Sequence, residues 1–194
     1  MAVGDLTTLS AVEAWIGVAS DGGGPVDTLL SALIGSASQY VKSWLNRDVL
    51  SANYVERYRG SGGQTLLLAN GPVTAVASVA WRGTALTVAG DPVAGTPGFY
   101  FDGAGRALSL QGHCFPRGEL VQVGYTAGYV TVPADIQQAV IELVGEAYRR
   151  RDRIGQSSKS LGGQETISFS PLDMNASIKT LLAQYQALTP IATY

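Results

Sequence analysis

The sequence predicts an α+β protein: a helical base of about four helices with a small antiparallel β-domain inserted into it. Three observations carry this. A long stretch from 25 to 46 repeats apolar residues at helical spacing, residues 52 to 127 switch to short β-prone runs broken by Gly, Pro and Asp, and the helical period returns at Pro133. Residues 1–50 and 130–194 are thus expected to form the base, and 51–129 the inserted β-rich subdomain.

A short first helix spans 7 to 18, where Leu9, Val12, Ala14, Trp15 and Ile16 recur near helical spacing and Thr7, Thr8 or Ser10 can cap the start. After the breaker "SDGGGP", Val26, Leu29, Leu30, Leu33, Ile34, Ala37, Tyr40, Val41, Trp44 and Leu45 follow the i, i+3, i+4, i+7 pattern over a second helix. Trp15, Tyr40 and Trp44 on these stripes read as core anchors. The runs "NYVERYRG", "TLLL", "VTAVASVAW", "TALTV", "FYFD", "ALSL" and "LVQVGYTA" read as strands, with turns at "RGSGG", "ANGP", "RGT", "AGDP" and "DGAG". In the third run, Val73, Ala75, Ala77, Val79 and Trp81 alternate as one buried face. Pro133 is placed as first helical residue of the third helix, whose stripe is Ile136, Val140, Leu143, Val144, Ala147 and Tyr148. A Gly/Ser-rich loop at 154–169 carries a short strand at Thr166 to Phe169. Ser170 as cap and Pro171 as first residue then open a final helix through Ile178, Leu181, Leu182 and Tyr185.

At 194 residues, 46% hydrophobic and 14% charged, the chain is long enough to bury about 70 per cent of its unfolded surface without staples. Net charge −2 and a pI near 5.3 give no general basic field for nucleic acid. With one cysteine, Cys114, and one histidine, His113, there is no internal disulfide and no Cys/His zinc set, so a reducing compartment, most simply the cytoplasm, is expected. Neither a signal peptide nor a run of some 18 apolar residues occurs.

No catalytic constellation emerges. His113 and Cys114 are sequence neighbours in a turn-like "QGHCFPRG", where adjacent side chains diverge. The glycine clusters "DGGGP" and "GSGG" lack the Lys and Ser/Thr of a phosphate loop. Glu142 and Glu146, one turn apart, lack a third metal ligand, so neither metal nor cofactor is expected. The basic tract Arg149, Arg150, Arg151 and Arg153 has three readings: charges complementing a helix C-terminus, ion pairs with acids such as Glu142 or Glu146 of a neighbouring subunit, or contacts to phosphates.

Three segments, "LIGSASQYVKSWLNRDVL" (33–50), "VQVGYTAGYVTVPADIQQAVIELVGEAYRRRD" (121–152) and "GQSSKSLGGQETISFSPLDMNASIKTLLAQY" (155–185), resemble the head–tail connector, or head-completion adaptor, proteins of long-tailed bacteriophages, prophages and gene transfer agents. The string "YTAGY" followed by "VPADI" and a helix closing in arginines is the most specific part. The resemblance implies a non-enzymatic virion protein of the neck, assembled in the host cytoplasm. Copies of it, typically twelve, form a ring under the portal protein, bridge to the stopper or tail-completion protein, and let DNA pass through the channel without sequence-specific contact. It places Arg149, Arg150, Arg151, Arg153, Glu142 and Glu146 at or near the subunit interface. Leu161, Ile167, Phe169, Ile191 and Tyr194 lie in segments expected to order on docking. The alternative is a ligand-binding β-module, for instance for a glycan, with Trp81, Phe99 and Tyr100 as stacking surfaces on the helical base; a small hydrolase using His113 ranks third.

Overall fold

A computed structural model describes residues 4–89, 95–101, 103, 105–151, 158–161, 165–168 and 174–186. They include four helices and antiparallel sheets, an α+β fold. The chain divides into two compact units, one of Met1–Asn46 with Val132–Gln186 and one built on Arg47–Thr131.

The first unit is helical. Helix α1 (Leu9–Ile16) starts at Thr8, whose hydroxyl accepts the Ala11 N–H at 3.2 Å, and ends at Gly17 in the left-handed conformation. Helix α2 (Pro25–Leu45) begins with Pro25, which has no N–H to leave orphaned. Its cap is supplied from outside the helix: the Asp21 carboxylate accepts N–H groups of Gly24 at 2.8 Å and Val26 at 2.9 Å. Asn46 closes it in the left-handed region, which Asn tolerates better than most residues. Helix α3 (Ala134–Arg150) follows Pro133, which is the N-cap, one position before the helix proper. Helix α4 (Ala176–Ala183) is capped by Asn175, not by Ser170. Ser170 and Pro171 lie outside the described residues; the local reason for the later start is that the Asn175 side chain offers its own acceptor to the Ser177 N–H.

Helix α3 packs against α1, α2 and α4. The core between them is aliphatic: Leu6, Val12, Leu30, Val41, Leu45, Ile136, Val140, Val144 and Leu182 are all at 0% exposure, each such side chain contributing about 1.5–3 kcal/mol on burial. Gly145 lets α1 approach closely, since a Cβ there would stand 3.3 Å from the Trp15 ring and 3.5 Å from Ile16. At the far end of α3, Asp135 accepts from Gln184 Nε2 at 3.2 Å and Tyr185 Oη at 3.1 Å, tying the end of α4 to the start of α3.

Two of the expected core anchors are not in the core. Trp15 is 50% and Tyr40 45% exposed, and Trp44 is half-buried. Helix α2 carries more apolar residues than one buried stripe can hold. Leu30, Ile34, Val41 and Leu45 face the core, while Leu29, Leu33, Ala37, Tyr40 and Trp44 make a second stripe that stays partly open.

A buried carboxylate holds the α1–α2 turn. Asp27, 5% exposed, accepts from the Ser20 hydroxyl and the Gly23 N–H, each at 2.8 Å, and from the Asp21 N–H at 3.3 Å. The Gly23 N–H first, then the Ser20 hydroxyl, lower its pKa to about 2. Glu13 shifts the other way, raised by burial and then by the neighbouring Asp27 carboxylate. The signs follow by linkage. A depressed acid contributes stability above its unfolded value near ~4, lost as pH falls towards about 2; a raised acid contributes it below ~4.3, lost as pH rises through the folded value. Asp27→Asn is therefore expected to lower the thermal midpoint at pH 7, with the gap to the parent closing as pH falls to about 2, whereas Glu13→Gln leaves the midpoint at pH 7 unchanged or higher. Scanning calorimetry from pH 2 to 7 checks both.

The second unit holds two sheets. One has the order β1 (Ala52–Arg59), β7 (Leu120–Ala127), β3 (Val73–Trp81) and β4 (Thr84–Ala85); the other has β2 (Thr65–Leu67), β6 (Ala107–Gln111) and β5 (Gly98–Phe101). Strand β7 is central, pairing Ala52 with Ala127 through Arg59 with Leu120 on one side and β3 on the other. The expected alternation of β3 is broken: the pairing shifts between Val73 and Ala75 and between Val76 and Ser78. Two bulges rotate the intervening side chains, so Val73 and Val79 are buried and Val76 half-buried, while Ala75 and Ala77 face solvent. The shared core includes Leu66, Leu68, Phe99, Leu108, Leu110, Phe115, Val121, Val123 and Tyr125.

One polar cluster sits in this core. The Tyr125 hydroxyl donates to Glu56 at 2.5 Å and accepts the Asn70 N–H at 3.2 Å; Tyr58 also bonds Glu56 and accepts the Ala69 N–H at 2.9 Å. Burial first, then the Glu56 carboxylate, raises both phenols. The cluster fastens the turn after β2 to β1 and β7. A hairpin of β8 (Ser158–Leu161) and β9 (Glu165–Ser168) lies within the stretch expected as a loop with one strand; Leu161 pairs with Glu165 and Lys159 with Ile167.

Candidate subunit interface

The last turn of α3 carries Arg149 and Arg150, and Arg151 is its C-cap. Arg150 forms an ion pair with Glu146 one turn earlier in its own chain, an arrangement that at this exposure contributes about 0.5 kcal/mol or less. Arg151 places its guanidinium 4.0 Å from the Tyr148 ring centroid, and Glu142 accepts from Gln138 at 2.9 Å. Arg149 is exposed. Arg153 lies outside the described residues, as do Phe169, Ile191 and Tyr194; Leu161 and Ile167 sit on the two strands of the hairpin.

Beside this tract runs a groove that the periodicity alone did not single out. Its α2 wall is Leu33, Ser36, Ala37 and Tyr40; its α3 wall is Leu143, Glu146, Ala147 and Arg150; Met174 closes one side. The lining is mostly apolar, with polar atoms from Ser36, Tyr40 and the Glu146–Arg150 pair. Its volume of about 250 Å³ is smaller than the roughly 300–1,000 Å³ of small-molecule sites, which suits a large side chain better than a substrate. The signal for it was present as the surplus of apolar residues on α2, hidden because both stripes share one helical period.

The residues weighed for chemistry are scattered. His113 and Cys114 are exposed, His113 standing edge-on to Trp81 with centroids 6.0 Å apart. Phe99 is 3% exposed and part of the β core, against which Trp81 packs. Among the described residues, no three His, Cys, Asp or Glu are grouped to hold a metal, and no helix is long and apolar enough to cross a membrane.

The helical unit thus presents a mostly apolar groove with the Glu146–Arg150 pair among its lining. The chain belongs to the head completion protein family, whose model matches residues 5–188. A search of curated protein sequences finds no match. Among solved structures, the fold is similar to a chain in the neck of an empty gene transfer agent particle computed with C6 symmetry, at 17% identity, TM-score 0.57, and coverage of 96% of this chain and 92% of that one. It is also similar to a chain of the virion of a native gene transfer agent particle, at 14% identity, TM-score 0.58, and the same coverages of 96% and 92%. At such identities the likeness is one of fold.

Proposed function

We propose that the chain is a head–tail connector of the virion neck, a structural protein and not an enzyme. Copies form a ring of about a dozen beneath the portal, bridge the capsid to the stopper and tail, and surround a channel through which DNA passes without sequence-specific contact. The observation that carries this is the family match over residues 5–188, supported by a fold like that of a chain in the neck of one gene transfer agent particle and a chain of the virion of another, over 96% of the length. The net charge of −2 fits a channel that must not hold DNA. The helical unit forms the ring, with the α3 end, Glu142, Glu146, Arg149, Arg150, Arg151 and Arg153, at or near the subunit contact. The segments holding Leu161, Ile167, Phe169, Ile191 and Tyr194 dock onto neighbouring proteins. Repeated weak contacts add up once a portal holds the copies together.

Negative-stain electron microscopy of the purified protein, alone and mixed with the portal of the same particle, tests the reading. Rings, or an added layer on the portal, are the expected result; a chain that stays monomeric and never decorates the portal overturns it.

A further inference from the structure

Resting on the ring reading, we propose that copies join head to tail by seating the exposed indole of Trp15 in the α2–α3 groove of the next copy. A ring needs a heterologous contact, two different surfaces on each subunit that fit one another. The helical unit has such a pair. Trp15 is half exposed yet held in place, because its ring lies against the bare backbone of Gly145, where a Cβ would stand 3.3 Å from Cδ1 and 3.4 Å from Nε1. An indole fixed in this way loses little freedom on docking.

The groove is on the other side of the same helix. At about 100° per residue, Gly145 lies roughly 150° around α3 from the mean direction of Leu143, Glu146, Ala147 and Arg150. A copy docked through its Trp15 therefore keeps its groove open for another, and the contact propagates. The chemistry matches as well. The walls are mostly apolar, and the volume of about 250 Å³ suits one large side chain. Aromatic anchors in pockets of this kind carry most of the energy of protein contacts.

The test uses the full chain with Cys114→Ser, so that introduced thiols are the only ones. Ala14→Cys marks the knob side without removing Trp15; Ser36→Cys marks the groove. Assembly of the parent is followed by light scattering, alone and with the portal, and disulfides are read on a denaturing gel after mild oxidation. The expected result is a cross-linked dimer when the two marked chains are mixed and none with either alone. Trp15→Ala and, separately, Ser36→Arg are expected to weaken assembly at least tenfold; Ser36 is exposed, and an unchanged thermal midpoint for Ser36→Arg shows that the fold is kept. Rings without the mixed cross-link overturn the knob-and-groove contact and leave the connector reading standing. Cross-linking of one marked chain with itself indicates a two-fold contact and overturns it too. A parent that remains a single copy even with portal overturns the ring reading and this inference together.

Discussion

Phe115→Ala is expected to lower the unfolding free energy of the β-unit by about 3–5 kcal/mol, the usual loss for a fully buried Phe. The ring is at 0% exposure in the core between the two sheets. Its backbone also closes a turn: the Phe115 N–H donates to the Gly63 carbonyl at 2.8 Å, and its carbonyl accepts the Gly62 N–H at 2.9 Å. The cavity left by alanine cannot collapse easily, because Gly60 is already packed against the next residue, where a Cβ would stand 2.0 Å from the Pro116 carbonyl oxygen. A loss of this size is a large share of the 5–15 kcal/mol that keeps a domain folded. Urea unfolding followed by tryptophan fluorescence measures it. A change below about 1 kcal/mol would mean that the segment of His113 to Pro116 is not fixed by this ring, contrary to the burial of Phe115.

The second large effect is expected at Gly128, in the "YTAGY" string. Its φ of +108° is one that L side chains rarely adopt, and a Cβ would stand 2.5 Å from the Leu50 carbonyl oxygen and 2.9 Å from Ser51 Cα. Both obstacles are backbone, so no rotamer change relieves them. The Gly128 N–H also donates to Pro72 at 2.9 Å, and the next residue exchanges bonds with Val49 and Ser51. Gly128→Val adds a β-branched side chain to that conformation and is expected to cost more than the ~1–2 kcal/mol of left-handed strain alone, lowering the yield of folded protein as well as the thermal midpoint. Gly128→Ala shows the same defect more weakly. A valine variant as stable as the parent would show that the strand end can move aside.

Much of the fold was legible because it rests on local rules. The α2 stripe, the Pro and Gly punctuation between strands and the apolar period of α3 each specify one element. The errors arise where a second constraint competes with the period. Ala75 and Ala77 follow a perfect alternation, yet bulges in β3 turn them outward, and no residue type announces a bulge in a run of Val, Ala and Ser. Trp15 and Tyr40 satisfy the helical period and are large and apolar, so they read as core; the helices against which they stand leave them half open. The Ser170-Pro171 pair is a good local signal for the start of the last helix, yet Asn175 provides the cap of α4. The candidate interface was legible as residue types, acids and arginines at helical spacing, but not as geometry. That Arg150 pairs with Glu146 of its own chain follows from the spacing of four; the groove beside it depends on how α2 and α3 meet, which no single segment encodes.

The second apolar stripe of α2 also has a thermal consequence. Leu29, at 39% exposure, and Tyr40, at 45%, keep first-shell water ordered as long as nothing covers them. Whatever covers that face releases this water, so association there carries a negative heat-capacity change and gains strength on warming from the cold. Any complex built on this face is expected to loosen on ice, which light scattering of the same sample cold and at ambient temperature checks.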